Sequence, residues 1–174
     1  DFNGAEQEGI GYYQTTQKDG KRCSTAKAYL VPAMDRPNLT VLPDTQVNKL
    51  LLDGDKAVGV QCMTPQQEMV DFSATKEVIL SAGAFGSPQI LLRSGIGPAE
   101  EITKHGIEHL VDLPGVGQNL QDHVTTVLIY KTHKINEAMG FSLTGALNLV
   151  KAILEWRSKR TGWITSNVSE TQGF

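Results

Sequence analysis

A short block rich in small residues, Ser81-Ala82-Gly83-Ala84-Phe85-Gly86-Ser87-Pro88, separates the apolar run Val78-Ile79-Leu80 from the helix-forming stretch Gln89–Arg93. Three consecutive large apolar residues fit a strand buried on both faces of a parallel sheet. Small residues at the carboxyl end of such a strand let a ligand approach the backbone closely. The free N–H groups of the following helix then face that ligand, with the positive end of the helix dipole. In open α/β sheets the crevice outside the strand carboxyl ends is where nucleotide cofactors sit. In a second reading, Gly83 and Gly86 serve only a tight strand-to-helix connection. The residue types leave both open.

Other groups capable of chemistry are scattered. His105 and His109 flank Gly106-Ile107-Glu108 and are expected on a solvated helix end and loop. They share a helix face only if Gly106 stays helical, so no metal site is expected. His133 is expected at the surface, and His123 is the only histidine inside a recognisable block; none is assigned as a catalytic base. No Gly-x-Ser-x-Gly elbow supports serine hydrolysis. Cys23 and Cys62 lie far apart, suit neither a disulfide framework nor a CxxC metal site, and are expected to be small buried hydrophobes. Trp156, Trp163 and Phe141 are expected to pack a second domain rather than stack on nucleic-acid bases.

The elements that must position these residues belong to an ordinary globular chain. Of 174 residues 40% are apolar and 20% charged, with net charge −3. That excludes disorder by charge repulsion and a basic nucleic-acid footprint. The longest apolar runs are a few residues, far below the roughly 20 needed for a membrane-spanning helix. Nothing indicates an oxidising compartment, so a cytoplasmic setting is expected, with peripheral membrane association left open. The chain opens on Asp1 without Met and closes on Gln172-Gly173-Phe174, and is expected to be a segment of a longer polypeptide.

Tyr12–Thr16 is strand-like. Ser24 or Thr25 caps a helix through Ala26–Leu30, which Pro32 ends or bends. Strands are expected at Leu39–Leu42, Thr45–Leu52, Ala57–Met63 and Glu68–Ala74, the last three as an antiparallel meander turned by Asp53-Gly54 and Thr64-Pro65. The parallel strand Val78–Leu80 precedes a helix capped by Ser87, with Pro88 near its first turn, that stops at Ser94-Gly95. Pro98 or Ala99 starts a second helix through Lys104, with Gly106 left-handed beyond it. Leu113–Gly117 is a tight loop and Val124–Tyr130 a strand. Leu143, Leu147, Val150 and Leu154 form the apolar face of a last helix, opposite Asn148, Lys151 and Glu155, ending near Arg157–Arg160.

The stretch Gly83-Ala84-Phe85-Gly86-Ser87-Pro88-Gln89-Ile90-Leu91-Leu92-Arg93-Ser94-Gly95-Ile96-Gly97 resembles the second signature of the glucose-methanol-choline (GMC) flavoprotein oxidoreductases at every defined position. Arg22–Ala26 with Ala28-Tyr29-Leu30, then Arg36–Val41 and Leu113–His123, are similar to the same family in register. The resemblance is collinear over about residues 8–125 and looks closest to choline-dehydrogenase-like and general alcohol-dehydrogenase members.

The resemblance implies an α/β fold, mixed α+β within this stretch. Residues 1–120 would form the central part of an FAD-binding Rossmann-like domain, with the meander at about 39–74 and the parallel strand and helix at about 76–95. Residues 121–174 would open an α+β substrate domain. It implies an FAD enzyme that oxidises a choline-like or other primary alcohol by hydride transfer to flavin, with the remainder of its own polypeptide as partner. Val47 matches the strand that offers backbone hydrogen bonds to adenine, and Ser81, Ala82 and Gly83 match the strand end beside the adenosine. Asn119, Asp122 and His123 match the junction between the two domains.

The N-terminal Gly-x-Gly-x-x-Gly fingerprint and the C-terminal catalytic histidine pair are not in this sequence. Gly115–Leu120 is no substitute for the fingerprint. No residue here is assigned a catalytic role, and the stretch alone is expected to be inactive. The competing readings are a stand-alone α/β nucleotide-binding or interaction module, with a core closed within residues 1–174, and a catalytically dead relative acting as a scaffold. The fragment reading predicts exposed apolar surface along Val78–Leu80.

Overall fold

The computed structural model describes residues 3–128, 142–167 and 170–173. Strands β1 (Ile10–Tyr12), β2 (Gln17–Lys18) and β3 (Lys21–Arg22) come first. Strands β4 (Gln46–Asp53), β5 (Lys56–Met63) and β6 (Met69–Ser73) follow, then helix α1 (Gly83–Arg93). The chain continues through β7 (Ile96–Gly97), α2 (Ala99–Lys104), β8 (Val111–Asp112), α3 (Leu143–Lys159) and β9 (Thr171–Gly173). This is the mixed α/β architecture expected. It divides into two compact units, residues 41–126 and residues 1–40 with 127–174.

The 41–126 unit is built on the expected meander, in antiparallel order β4-β5-β6. Leu50 of β4, Ile90 of α1 and Ile96 of β7 are buried together, with Val47, Leu52, Val60, Val78, Leu80, Leu91 and Val111 packed around them. One face of the sheet is thus covered by α1. Gly59 in β5 has to be glycine, because a Cβ there would lie 2.2 Å from the Phe72 carbonyl oxygen. The short parallel pair β7-β8, Ile96 opposite Val111, was not foreseen in the sequence.

In the other unit, β1 pairs antiparallel with β9, and β2 with β3. Asp19 and Gly20 join β2 to β3 with φ of 53° and 63°, the two positive values that a tight hairpin needs. The Trp156 indole N–H of α3 donates to the Gly20 carbonyl at 2.7 Å, and the Arg160 guanidinium stacks 4.3 Å from the centre of that indole. Arg160 itself closes α3 in the left-handed conformation.

Several expected elements differ. Leu39–Leu42 is not a strand: the Leu39 N–H is used by the Arg36 carbonyl in a turn, and Pro37 and Pro43 on either side lack donors. The 26–30 segment is a wide turn with an i→i+5 bond from Val31 to Ala26, and Pro32 opens a 3-10 turn rather than ending the helix. Val78–Leu80 is no strand either, since among the described residues no neighbour pairs with it. Val78 and Leu80 turn inward onto the core and Ile79 alone of the three is exposed, at 75%, so the bare apolar surface expected along this stretch is present at one residue.

Helix α1 begins at Gly83, four residues before Ser87. Ser87 does not cap it from outside; its hydroxyl reaches back to accept from the Ala82 N–H at 2.9 Å. Val124–Leu128 has no regular structure; Ile129, Tyr130, His133 and Phe141 lie outside the described residues. Helix α3 packs through Ala152 and Trp156, so Leu143, Leu147, Val150 and Leu154 point outward, 54–83% exposed. Helix α3 is held by the Trp156 bond to the β2-β3 hairpin and by the turn Trp163–Thr165, not by its apolar stripe.

Candidate functional site

Strand β4 is an edge of its sheet, so alternate residues along it direct backbone N–H and C=O away from β5. Two hydrogen bonds identify which. The Ala74 N–H donates to the Val58 carbonyl at 2.8 Å, so Val58, Val60 and Cys62 turn their backbone groups toward β6. Their partners in β4, Leu50 opposite Val60 and Val47 opposite Cys62, therefore turn theirs to the open edge. The Leu50 N–H is found there, donating to the Ser94 hydroxyl at 2.8 Å.

Val47 shares the phase of Leu50, three residues away, because Asn48 is an extra residue. Val47 faces Cys62 and Lys49 faces Gln61, which leaves Asn48 unmatched in a β-bulge. The same bulge puts both Val47 and Leu50 on the core side of the sheet. The Val47 N–H and C=O lie side by side at the edge, a donor next to an acceptor.

The carboxyl end of α1 fastens this strand. Buried Ser94 accepts from Leu50 and donates to the Ile90 carbonyl at 2.6 Å. The Arg93 guanidinium donates to the Asn48 side-chain oxygen. The Asn48 amide in turn donates to Gln61 Oε1 at 2.9 Å.

At the amino end of α1, Ser81, Ala82 and Gly83 are all exposed. Gly83 has φ +85° and open space where a Cβ would project, whereas a Cβ on Gly86 would come within 2.9 Å of the Ala82 methyl. The two glycines thus divide the two readings: Gly86 serves close packing, and Gly83 leaves the backbone bare. The described structure places Val47 and the segment ending in Leu80 on one core cluster. A cleft of about 550 Å³ lies between α1 and the loop Gly115–Gln121, with Phe85, Pro88, Leu92, Val116 and Leu120 among its walls.

Asn119, in the left-handed region at φ 54°, accepts from Gln121 Nε2 at 3.0 Å, and Asp122 accepts from the His123 N–H at 2.8 Å. His105 sits 3.1 Å from Glu101 on the exposed end of α2. His109 departs from expectation. It is only 24% exposed and lies 3.2 Å from the Gly97 carbonyl, a contact that ties its loop to β7. Cys62 is buried as expected, and burial, with the Asp71 carboxylate second, pushes its thiol pKa up. Cys23 is half-buried. Among the described residues no three His, Cys, Asp or Glu converge as metal ligands. Among them, too, no helix is long and apolar enough to cross a membrane.

Sequence reasoning missed Asn48, Arg93 and Ser94 as parts of the site. Ser94 and Arg93 stand in the Arg-Ser-Gly-Ile-Gly end of the recognised block, so their position was a usable signal. Nothing in Gln46-Val47-Asn48-Lys49 announces a bulge.

The family model for GMC oxidoreductase matches residues 1–125. Among curated proteins, the alcohol dehydrogenase [acceptor] of Pseudomonas putida is 44% identical over 178 residues, covering all of this chain and 32% of that protein. The mitochondrial choline dehydrogenase of Homo sapiens is 44% identical over 175 residues, covering all of this chain and 29% of that one. The chain therefore spans about a third of the length of these relatives. Among solved structures, an FAD-dependent oxidoreductase from Chaetomium thermophilum superposes with a TM-score of 0.76 at 28% identity, over 94% of this chain and 29% of its own. Formate oxidase of Aspergillus oryzae superposes at 0.74 with 30% identity, over 91% and 27%.

Proposed function

The chain belongs to the GMC oxidoreductase family, and from that premise we propose that it supplies the adenosine side of the FAD site in an enzyme that oxidises an alcohol. The observation that carries this reading is the bulged edge of β4, which turns the Val47 N–H and C=O outward together. A neighbouring donor and acceptor match the adenine edge, where an amino group stands beside a ring nitrogen. Ser81, Ala82 and Gly83 fit the sugar, being small, exposed and, at Gly83, free of any atom in the Cβ direction. The amide groups at the start of α1 add a positive field for the phosphate-bearing side of the cofactor.

FAD, when bound, supplies the chemistry, accepting a hydride from the carbinol carbon of the alcohol. This chain's own contribution is positional. Val47 fixes the base through main chain, the small residues admit the ribose, and α1 holds both at once through its two ends. No residue of the chain is given an acid–base role.

Within the proposal, residues 1–120 belong with the flavin part and 121–174 open the substrate part, with a junction at Asn119, Asp122 and His123. The 41–126 unit holds every proposed cofactor residue, while residues 1–40 fold with 127–174. A choline-like or other primary alcohol is the proposed substrate and the cytoplasm the proposed setting. The two relatives named for alcohol and choline dehydrogenase activity support the substrate class. A stand-alone module would need a core closed within these residues, and the exposure of Ile79 and of the outward stripe on α3 argues against it.

The test is the absorbance spectrum of the full-length protein. A flavin spectrum bleached by primary alcohols under exclusion of oxygen is the expected result. A protein that binds flavin yet is bleached by no alcohol, choline included, overturns the enzymatic reading.

A further inference from the structure

We infer that Asn48, clamped between Arg93 and Gln61, is the positioning residue that makes strand β4 read adenine. The inference rests on the proposed adenine contact of Val47. Counted from Leu50, whose N–H meets Ser94 at the open edge, a regular strand would turn residue 48 outward and Val47 inward. The Val47 N–H and C=O would then be consumed by β5, and its side chain would leave the core face. The extra residue reverses that phase.

Two side-chain contacts hold the bulge. Asn48 presents its oxygen to the Arg93 guanidinium at the end of α1 and its amide to Gln61, the residue opposite the bulge. Both capacities of one amide are used on two different elements, which neither Asp nor a β-branched residue reproduces. Arg93 and Ser94 grip β4 on either side of Lys49, at Asn48 and Leu50. The helix whose first residues admit the sugar therefore also sets the face offered to the base.

The test compares FAD with its analogue in which hypoxanthine replaces adenine. Hypoxanthine exchanges the amino donor for a carbonyl and so places an acceptor against the Val47 carbonyl. Dissociation constants for both are measured on flavin-free full-length protein from flavin fluorescence. The unsubstituted protein is expected to favour FAD by about tenfold or more, the discrimination of one paired donor–acceptor contact. Asn48→Val is expected to weaken FAD by about that factor, leave the analogue little changed, and bring the ratio toward one. Arg93→Met, an exposed change that leaves the strand sequence intact, is expected to shift the ratio the same way, and Asn48→Asp, which keeps the acceptor for Arg93 but loses the donor to Gln61, to give a ratio between those of Asn48→Val and the unsubstituted protein.

Should Asn48→Val not fold, Arg93→Met carries the test alone. Variants that bind both flavins with the unsubstituted ratio, whatever their affinity, overturn the role of Asn48 and leave the Val47 contact standing. Equal affinity of the unsubstituted protein for FAD and analogue overturns the Val47 contact, and with it this inference.

Discussion

Ser94 joins the two halves of the site through one hydroxyl. It is 6% exposed, accepts from Leu50 and donates to Ile90, so removing it strands a buried N–H. Ser94→Ala is expected to cost about 1–3 kcal/mol of stability, the penalty of an unsatisfied buried donor, read as a lower urea midpoint with unchanged slope. Cys62 gives a second expectation at this scale. Its thiol pKa is raised by burial and by Asp71, so the native state holds the proton longer than the unfolded chain. Its contribution is complete below the ordinary thiol range near pH ~8.5 and is lost as pH climbs through the raised native value. Stability should fall on that alkaline side, and Cys62→Ala should flatten the fall in a series of urea titrations. Ser81, Ala82 and Gly83 were legible as candidates because small residue types after a large apolar run are uncommon. Asn48 was not, because its role depends on register, which no single residue type encodes.

At the scale of elements, β4, β5 and β6 were legible because short β-forming apolar runs and the Asp53-Gly54 turn between the first two agree with each other. Val78–Leu80 was misread as a strand because apolar run length predicts burial, while a strand also requires a bonded neighbour. The start of α1 was misplaced because Ser87 accepts a helix-terminal N–H from inside the first turns, and sequence alone does not reveal the direction of that reach. The β2-β3 hairpin was not read from the sequence, although Asp19-Gly20 is the kind of pair such a turn uses; its Gly20 carbonyl ties it to α3 through Trp156. A Cβ on Gly20 would sit 2.1 Å from the Arg160 carbonyl oxygen, at a φ that L-residues pay about 1–2 kcal/mol to adopt. Gly20→Ala should therefore part the hairpin from α3 and expose Trp156, whose indole N–H bonds the Gly20 carbonyl. A red shift of tryptophan emission with a lower melting temperature is expected; unchanged emission would mean the hairpin does not orient α3.

At the scale of the whole molecule, the apolar surface is the informative quantity. Ile79 is 75% exposed in a segment whose neighbours Val78 and Leu80 face the core, and Leu143, Leu147, Val150 and Leu154 run exposed along α3. These stretches are more apolar than a solvated surface element requires, and isolated hydrophobic strand edges and helix stripes are adhesive. The 174-residue polypeptide made alone should therefore associate with rising concentration, seen as a growing sedimentation coefficient. Ile79→Lys in that polypeptide should reduce the association, because a charge at the unpaired edge opposes it. In the full-length protein the same substitution should be harmful and lower stability by about 1.5–3 kcal/mol, the range for losing a buried large aliphatic side chain. A polypeptide that stays monomeric at high concentration, together with a full-length Ile79→Lys variant of unchanged stability, would show that this surface faces water in both and has no covering strand.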